Sequence, residues 1–132
     1  MKTLNSIKLW LVMLMAIPIS TIKCYSLNVP DELKNALKTG NIKEISKFFD
    51  TNVELEILGD ENIYSKIQAE QIVKTFFDDH PVVNFTILFE GGKDVSQYAI
   101  GKLITTKGTF RINLLVKTQI LLQLRIEEDN GN

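Results

Sequence analysis

The sequence predicts an α+β domain in which a helix pair, a strand and a long helix precede a curved antiparallel sheet meander. Three observations carry that expectation. Apolar side chains recur at helical spacing between Leu33 and Phe49 and again between Ala69 and Phe77. They alternate with polar ones from Val53 to Ile57 and along four stretches after Pro81. The links between those stretches are short, so consecutive strands can pair only antiparallel.

Pro30, Asp31 and Glu32 open the first helix, Leu33 and Leu37 give its buried side, and Thr39-Gly40 closes it. Asn41 caps a second helix whose apolar face is Ile42, Ile45, Phe48 and Phe49. Asp50-Thr51-Asn52 is turn chemistry, after which Val53, Leu55 and Ile57 alternate with Glu54 and Glu56 as a half-buried strand ended by Gly59-Asp60. Asn62 to Tyr64 is a brief extended piece. Ser65 and Gln68 then form a capping box for the third helix, whose face is Ala69, Ile72, Val73, Phe76 and Phe77. Pro81 ends that helix within Asp78-Asp79-His80, because the residue before a proline avoids helical geometry. Strands follow over Asn84 to Glu90, Val95 to Thr106, Thr109 to Lys117 and Ile120 to Glu127, with tight turns at Gly91-Gly92 and Lys107-Gly108.

Residues 1–26 read as a signal peptide, with Lys2 and Lys8 before the apolar run Leu9 to Ile17 and Pro18 breaking it. The apolar span Leu9 to Ile22 falls short of the ~20 residues that cross a bilayer. Small side chains at Cys24 and Ser26 favour cleavage after Ser26, leaving residues 27–132 as one exported domain, periplasmic or secreted, with no membrane span. Lys23 directly before Cys24 argues against a lipoprotein anchor at that sulfur.

Loss of Lys2, Lys8 and Lys23 leaves 12 basic against 16 acidic side chains, a net charge of -4 that disfavours nucleic acid as a partner. With one cysteine and one histidine, the chain holds no disulfide framework and no soft-ligand zinc set. No cofactor fingerprint occurs: Gly91-Gly92 lacks the strand-to-helix setting of a phosphate loop.

The order of elements resembles the nuclear-transport-factor-2-like (SnoaL-like, cystatin-like) cone, in which a curved sheet wraps around helices. More closely, "ALKTGNIKEISKFFDTNVELEI", "YSKIQAEQIVKTFF", "YAIGKLITTKGTFRI" and "QLRIEE" resemble a family of small secreted bacterial proteins, domain of unknown function 4783, over Leu33 to Glu127. The resemblance implies the fold and export and no chemistry. At Lys117-Thr118-Gln119 the link is shorter than the Gly- and Lys-containing turn of such proteins.

A two-residue turn at Lys107-Gly108 would pair Thr105 with Phe110, Leu103 with Ile112, Gly101 with Leu114 and Ala99 with Val116 on a core face. A three-residue link after Lys117 would extend it by pairing Leu114 with Leu122, Ile112 with Leu124 and Phe110 with Ile126. A two-residue link at Thr118-Gln119 is rejected because it would set Ile112 against Arg125. The other face then carries Tyr98, Ile100, Ile104, Arg111, Leu115, Leu121 and Arg125, too apolar for plain solvent. Arg111 and Arg125 are expected opposite each other, each needing an anion, most simply Glu54, Glu56 or Glu90 of the same chain.

Catalysis would need acid and base groups converging inside the cone, and the inward positions supply none. His80 at a helix end has an electrostatic role there, and Asp78-Asp79 alone make an incomplete shell for a hard cation, so neither a catalytic residue nor a metal ligand is assigned. The function expected is an exported, non-catalytic interaction domain using the outer sheet face. Its partner would be a second copy or another envelope protein. The alternative is a protein binding a small apolar ligand inside the cone.

Overall fold

The computed structural model describes residues 28–131, so the expected signal peptide, the cleavage after Ser26 and Cys24 lie outside the described residues. Helix α1 (Asp31–Thr39) has Asp31 and Glu32 at its positive end. Gly40 ends it at φ 66, and the N–H of Asn41 reaches back 2.9 Å to the Ala36 carbonyl. Asn41 then accepts the Glu44 N–H to cap α2 (Ile42–Ser46).

Helix α2 is shorter than its apolar spacing predicts. Phe49, expected on its buried face, instead opens strand β1 (Phe49–Ile57), because the Leu121 N–H binds the Phe48 carbonyl at 2.6 Å and draws the chain into the sheet. A turn at Leu58-Gly59 leads to β2 (Asp60–Ser65), the extended piece, which pairs antiparallel with β1 from Ile57↔Asp60 to Asn52↔Ser65. The expected capping box between Ser65 and Gln68 starts α3 (Lys66–Asp79), and His80 follows as its C-cap. Strands β3 (Val82–Lys93), β4 (Ser96–Thr105), β5 (Gly108–Lys117) and β6 (Ile120–Glu128) complete a six-stranded sheet of order β2-β1-β6-β5-β4-β3. Its second and third strands, β1 and β6, pair parallel, which the short-loop argument did not foresee.

Three register expectations are corrected. Gly91 and Gly92 are not a turn; they pair with Tyr98 and Gln97 inside β3 and β4, and the reversal falls three residues later at Asp94-Val95. The β4 to β5 turn is Thr106-Lys107, so Leu103 lies opposite Phe110 and Gly101 opposite Ile112. That moves every partner by two places, which preserves the face of each residue. The rejected two-residue link at Thr118-Gln119 does occur, with φ values of 50 and 63 that suit a right-twisted hairpin. The apolar pattern survives because the register shifts between Leu115 and Val116: Leu121 pairs with Val116 and Gln123 with Leu115, leaving Leu122 as the extra residue of a bulge. Beyond the bulge Ile112 meets Ile126, not Arg125.

The helices cover one face of the sheet. Leu33, Leu37, Ile45 and Val73 have no exposure, nor do Leu103, Ile112, Leu124 and Ile126 beneath them. Gly101 makes room there: a Cβ on it would stand 2.2 Å from the Phe85 ring, so the ring lies directly over the β4 backbone. At the rim, the Glu90 carboxylate accepts the Val29 N–H at 3.0 Å and meets Lys34 at 2.8 Å, tying the start of the domain to β3.

Both sheet edges are blunted. Edge β3 carries register breaks at Val83 and Leu88, which stand exposed as bulged residues. On edge β2, the N–H groups of Ile63 and Ser65 point away from β1 by the alternation of a two-residue hairpin. Asn62 Oδ1 takes the first at 2.9 Å and Gln68 Oε1 the second at 3.3 Å.

Candidate functional site: the open face of the sheet

The face away from the helices is a lattice set by strand pairing. One row runs Gly91, Tyr98, Leu115, Gln123, Glu54, Ile63; the next runs Phe89, Ile100, Asn113, Arg125, Glu56, Glu61; a third holds Thr86, Lys102, Arg111, Glu127. Residues opposite each other across neighbouring strands share a side, so these rows are contact neighbourhoods.

Of the seven expected residues, the structure places Tyr98, Ile100, Ile104, Arg111, Leu115 and Arg125 here. Leu121 does not belong: the bulge at Leu122 turns it inward, where it has no exposure. Leu122, expected inward, is only half-buried for the same reason. The arginines are not opposite each other. Arg111 faces Glu127 across β6 and Lys102 across β4, while Arg125 faces Asn113 and Glu56.

Three neighbourhoods differ in chemistry. The first is apolar: Phe89 and Tyr98, 50% and 45% exposed, pack at 5.5 Å between ring centroids, with Ile100 and Leu115 beside them. Gly91 leaves space for that ring pair, since a Cβ on it would stand 3.1 Å from Phe89 and 3.4 Å from Tyr98. A shallow depression of about 250 Å³ follows, lined by Tyr98, Ile100, Asn113, Leu115, Gln123 and Arg125.

The second neighbourhood is acidic and lies on β1, β2 and β6. Arg125 Nε stands 2.5 Å from Glu56 Oε2, an ion pair whose N–H direction misses the oxygen, and Arg125 Nη1 lies 3.8 Å from Glu127. Gln123 donates to Glu54 at 2.9 Å. Hydrogen bonding to Glu54, with the Glu56 charge nearby, holds the Glu61 carboxyl above its ordinary pKa, while Arg125 pulls the other way. The expectation that an intrachain glutamate answers an arginine is met at Arg125 by Glu56. The third neighbourhood is mixed in charge, with Glu127 of β6 opposite Arg111. Lys102 and Arg111 are adjacent across β4 and β5; Lys102 reaches only Asp129, at 3.7 Å, and Arg111 forms no ion pair with a described residue.

On the helix side, His80 Nδ1 lies 2.9 Å from the Phe76 carbonyl and its ring stacks on Phe76 at 4.3 Å. That contact makes Nδ1 the donor, and among the described residues no carboxylate pairs with the ring. Asp78 is held by Lys74 at 2.7 Å. The space between helices and sheet is occupied by apolar side chains, Phe77 and Phe110 among them, exposed 7% and 5%.

Sequence reasoning missed Phe89, Ile63, Glu61 and the acidic neighbourhood as a unit. Phe89 is displaced by the bulge at Leu88, which no local pattern announces; the alternation of Glu54 and Glu56 was visible, but which strand lay beside it was not.

No curated protein sequence matches the chain. Among solved structures, a DUF4783 family protein from Bacteroides ovatus is 31% identical, covers 80% of this chain and 100% of its own, and superposes with a TM-score of 0.76. An NTF-2-like protein of unknown function from Burkholderia xenovorans, at 7% identity over 77% of this chain and 80% of its own, shares the fold with a TM-score of 0.58. So does a candidate polyketide cyclase from Sinorhizobium meliloti, 13% identical over 74% and 94% of the two chains, with a TM-score of 0.59. The profile of one sequence family matches residues 30–128, most of the described chain, and the protein accordingly belongs to the family Domain of unknown function (DUF4783), on an NTF2-like fold.

Proposed function

We propose that this protein is an exported, non-catalytic interaction domain whose working surface is the open face of its sheet. One observation carries the reading. Phe89, Tyr98 and Ile104 stand 50%, 45% and 37% exposed on a face that also bears Lys102 and Arg111, while the helix side of the same strands is covered and mainly apolar, Gln97 and Thr105 being its buried polar residues on β4. Folding gains nothing from exposed apolar side chains grouped in this way, whereas a partner covering them does. The blunted edges leave the face as the broad surface available for association. The apolar-ligand alternative finds less support, because aromatic and aliphatic side chains occupy the space a ligand in the cone would need. Export rests on the basic start and short apolar run of residues 1–26, removed after Ser26.

The test is thiol accessibility in intact host cells, using a maleimide that does not cross the inner membrane and the unsubstituted protein as background. Tyr98→Cys reports on the open face; Gln71→Cys, on exposed α3, is the control. The expected result is labelling of Gln71→Cys in cells, with Tyr98→Cys protected until the protein is purified and diluted. Labelling of Gln71→Cys only after lysis would remove export. Equal labelling of both positions in cells would remove the covered face.

A further inference from the structure

Polar side chains occupy the middle of the open face, and its aromatic pair stands to one side. In the strand order, Tyr98 and Ile100 lie on β4 with Phe89 beyond them on edge β3, whereas Asn113 on β5 and Gln123 and Arg125 on β6 hold the centre. They meet in the depression of about 250 Å³, so one wall of it is aromatic and the opposite wall carries hydrogen-bonding groups. The Asn113 amide has no hydrogen-bond partner among the described residues, and Gln123 donates Nε2 to Glu54, which leaves its Oε1 as an acceptor. Arg125 is balanced by Glu56, so the lining carries no net charge. A protein interface has the reverse layout, an apolar centre within a polar rim. A volume below the ~300–1,000 Å³ of a drug-sized pocket suits a single ring.

We propose that this depression binds one pyranose ring of a neutral carbohydrate, with its C–H face on the Tyr98 ring and its hydroxyl rim on Asn113, Gln123 and Arg125. The inference rests on the reading of the open face as the working surface, and it names the partner. A pyranose has both surfaces that this site can receive. Its axial C–H groups carry partial positive charge toward the negative face of an aromatic ring. Its hydroxyls each donate and accept, which matches an amide, a carbonyl oxygen and a guanidinium set side by side. Phe89, tilted 32° to Tyr98 at 5.5 Å, extends the aromatic wall toward β3, the direction in which a second sugar of the chain would continue. An extended peptide is the weaker fit, because it would pair its amides with a strand edge, and both edges are blunted.

The test is an NMR titration of the mature chain, residues 27–132, with the methyl pyranosides of glucose, galactose, mannose and N-acetylglucosamine. It follows the side-chain amides of Asn113 and Gln123 and the ring of Tyr98. At least one glycoside is expected to shift all three saturably, and cyclohexanol, a ring without the hydroxyl rim, to shift none. Tyr98→Phe is expected to keep the affinity. Tyr98→Leu and Asn113→Ala should each weaken it at least about tenfold, the first by removing the aromatic face and the second its hydrogen bonds. Tyr98 is exposed and Asn113 half-buried on the outer face, and a denaturant titration checks that each variant folds. No saturable shift with any glycoside overturns the inference, as does a Tyr98→Leu that binds like wild type, or cyclohexanol binding as well as the sugars. If that happens while Tyr98→Cys remains protected in cells, a protein covers the face and the interaction reading stands. If Tyr98→Cys is also open in cells, both fall.

Discussion

The two faces of this sheet are made by the same strands and differ by one residue of register, yet they follow different rules. Along β4 the inward residues Ala99, Leu103 and Thr105 are exposed 1%, 0% and 7%, and the outward residues between them are Tyr98, Ile100, Lys102 and Ile104. On the inner side every position answers to packing, and the one inward glycine of β4 exists to admit Phe85. On the outer side no packing partner is present among the described residues, and apolar side chains and glutamates stand in groups. Burial explains the first face completely. For the second, burial gives no account of the grouping, and the contact with another surface proposed above would give one.

The sharpest way to break this contrast is truncation on each side. Leu124→Ala, between Leu55 and Leu114 in the core, is expected to cost about 2–5 kcal/mol, because transfer and cavity costs add in a fully packed site. Leu115→Ala, on the open face, is expected to cost about 1 kcal/mol or less in the isolated domain. Urea titration of both variants decides the point, and equal losses would show that the open face is packed against something within the chain.

Glycines sharpen it further. A Cβ at Gly101 would meet two Phe85 ring atoms at 2.2 and 2.3 Å, so Gly101→Ala is expected to lose about 1–3 kcal/mol as the ring is forced aside. Gly91→Ala meets half-exposed rings at 3.1 and 3.4 Å, which can swing into solvent, and is expected to change stability by less than about 0.5 kcal/mol. Thermal melts of the pair provide the comparison; a Gly91→Ala as damaging as Gly101→Ala would contradict it.

The smallest effect concerns protons, and it belongs to the open face alone. Glu61 has its folded-state pKa raised by the hydrogen bond with Glu54 and the charge of Glu56. Folding therefore takes up protons on this group, and its relative stabilisation is fully present below the ordinary carboxylate range and lost as pH rises through the raised value. Carbon-detected NMR titration should find Glu61 ionising above a typical glutamate, and Glu54→Gln should bring it back down. An ordinary Glu61 in wild type would mean that the acidic neighbourhood is looser than its geometry suggests.

Much of this was legible in the chain. The capping box at Ser65 and Gln68, the end of α3 before Pro81, and the inward placement of Leu103, Phe110, Ile112, Leu114 and Leu124 all follow from spacing and local backbone chemistry. The same alternation placed Tyr98, Ile100, Ile104, Arg111, Leu115 and Arg125 on the opposite side even though the β4 to β5 register was shifted by two. A shift by an even number leaves faces intact, so the candidate site survived an incorrect pairing.

What failed was long-range or irregular. Phe49 follows the helical rhythm of Ile42 and Ile45, but hydrogen bonding next to Leu121, seventy-two positions along the chain, makes it a strand residue. Leu121 alternates as an outward residue until the bulge at Leu122 turns it into the core.

Periodicity and capping are properties of neighbouring residues, so the sequence by itself determined the elements, their order and, away from the bulges, which side of each strand is buried. Strand partners lie tens of residues apart, and a bulge is chosen when two apolar patterns must be brought into phase across them. Only the tertiary structure could therefore decide the parallel joining of β1 to β6, the seating of Leu121, and the assembly of Glu54, Glu56 and Glu61 beside Arg125.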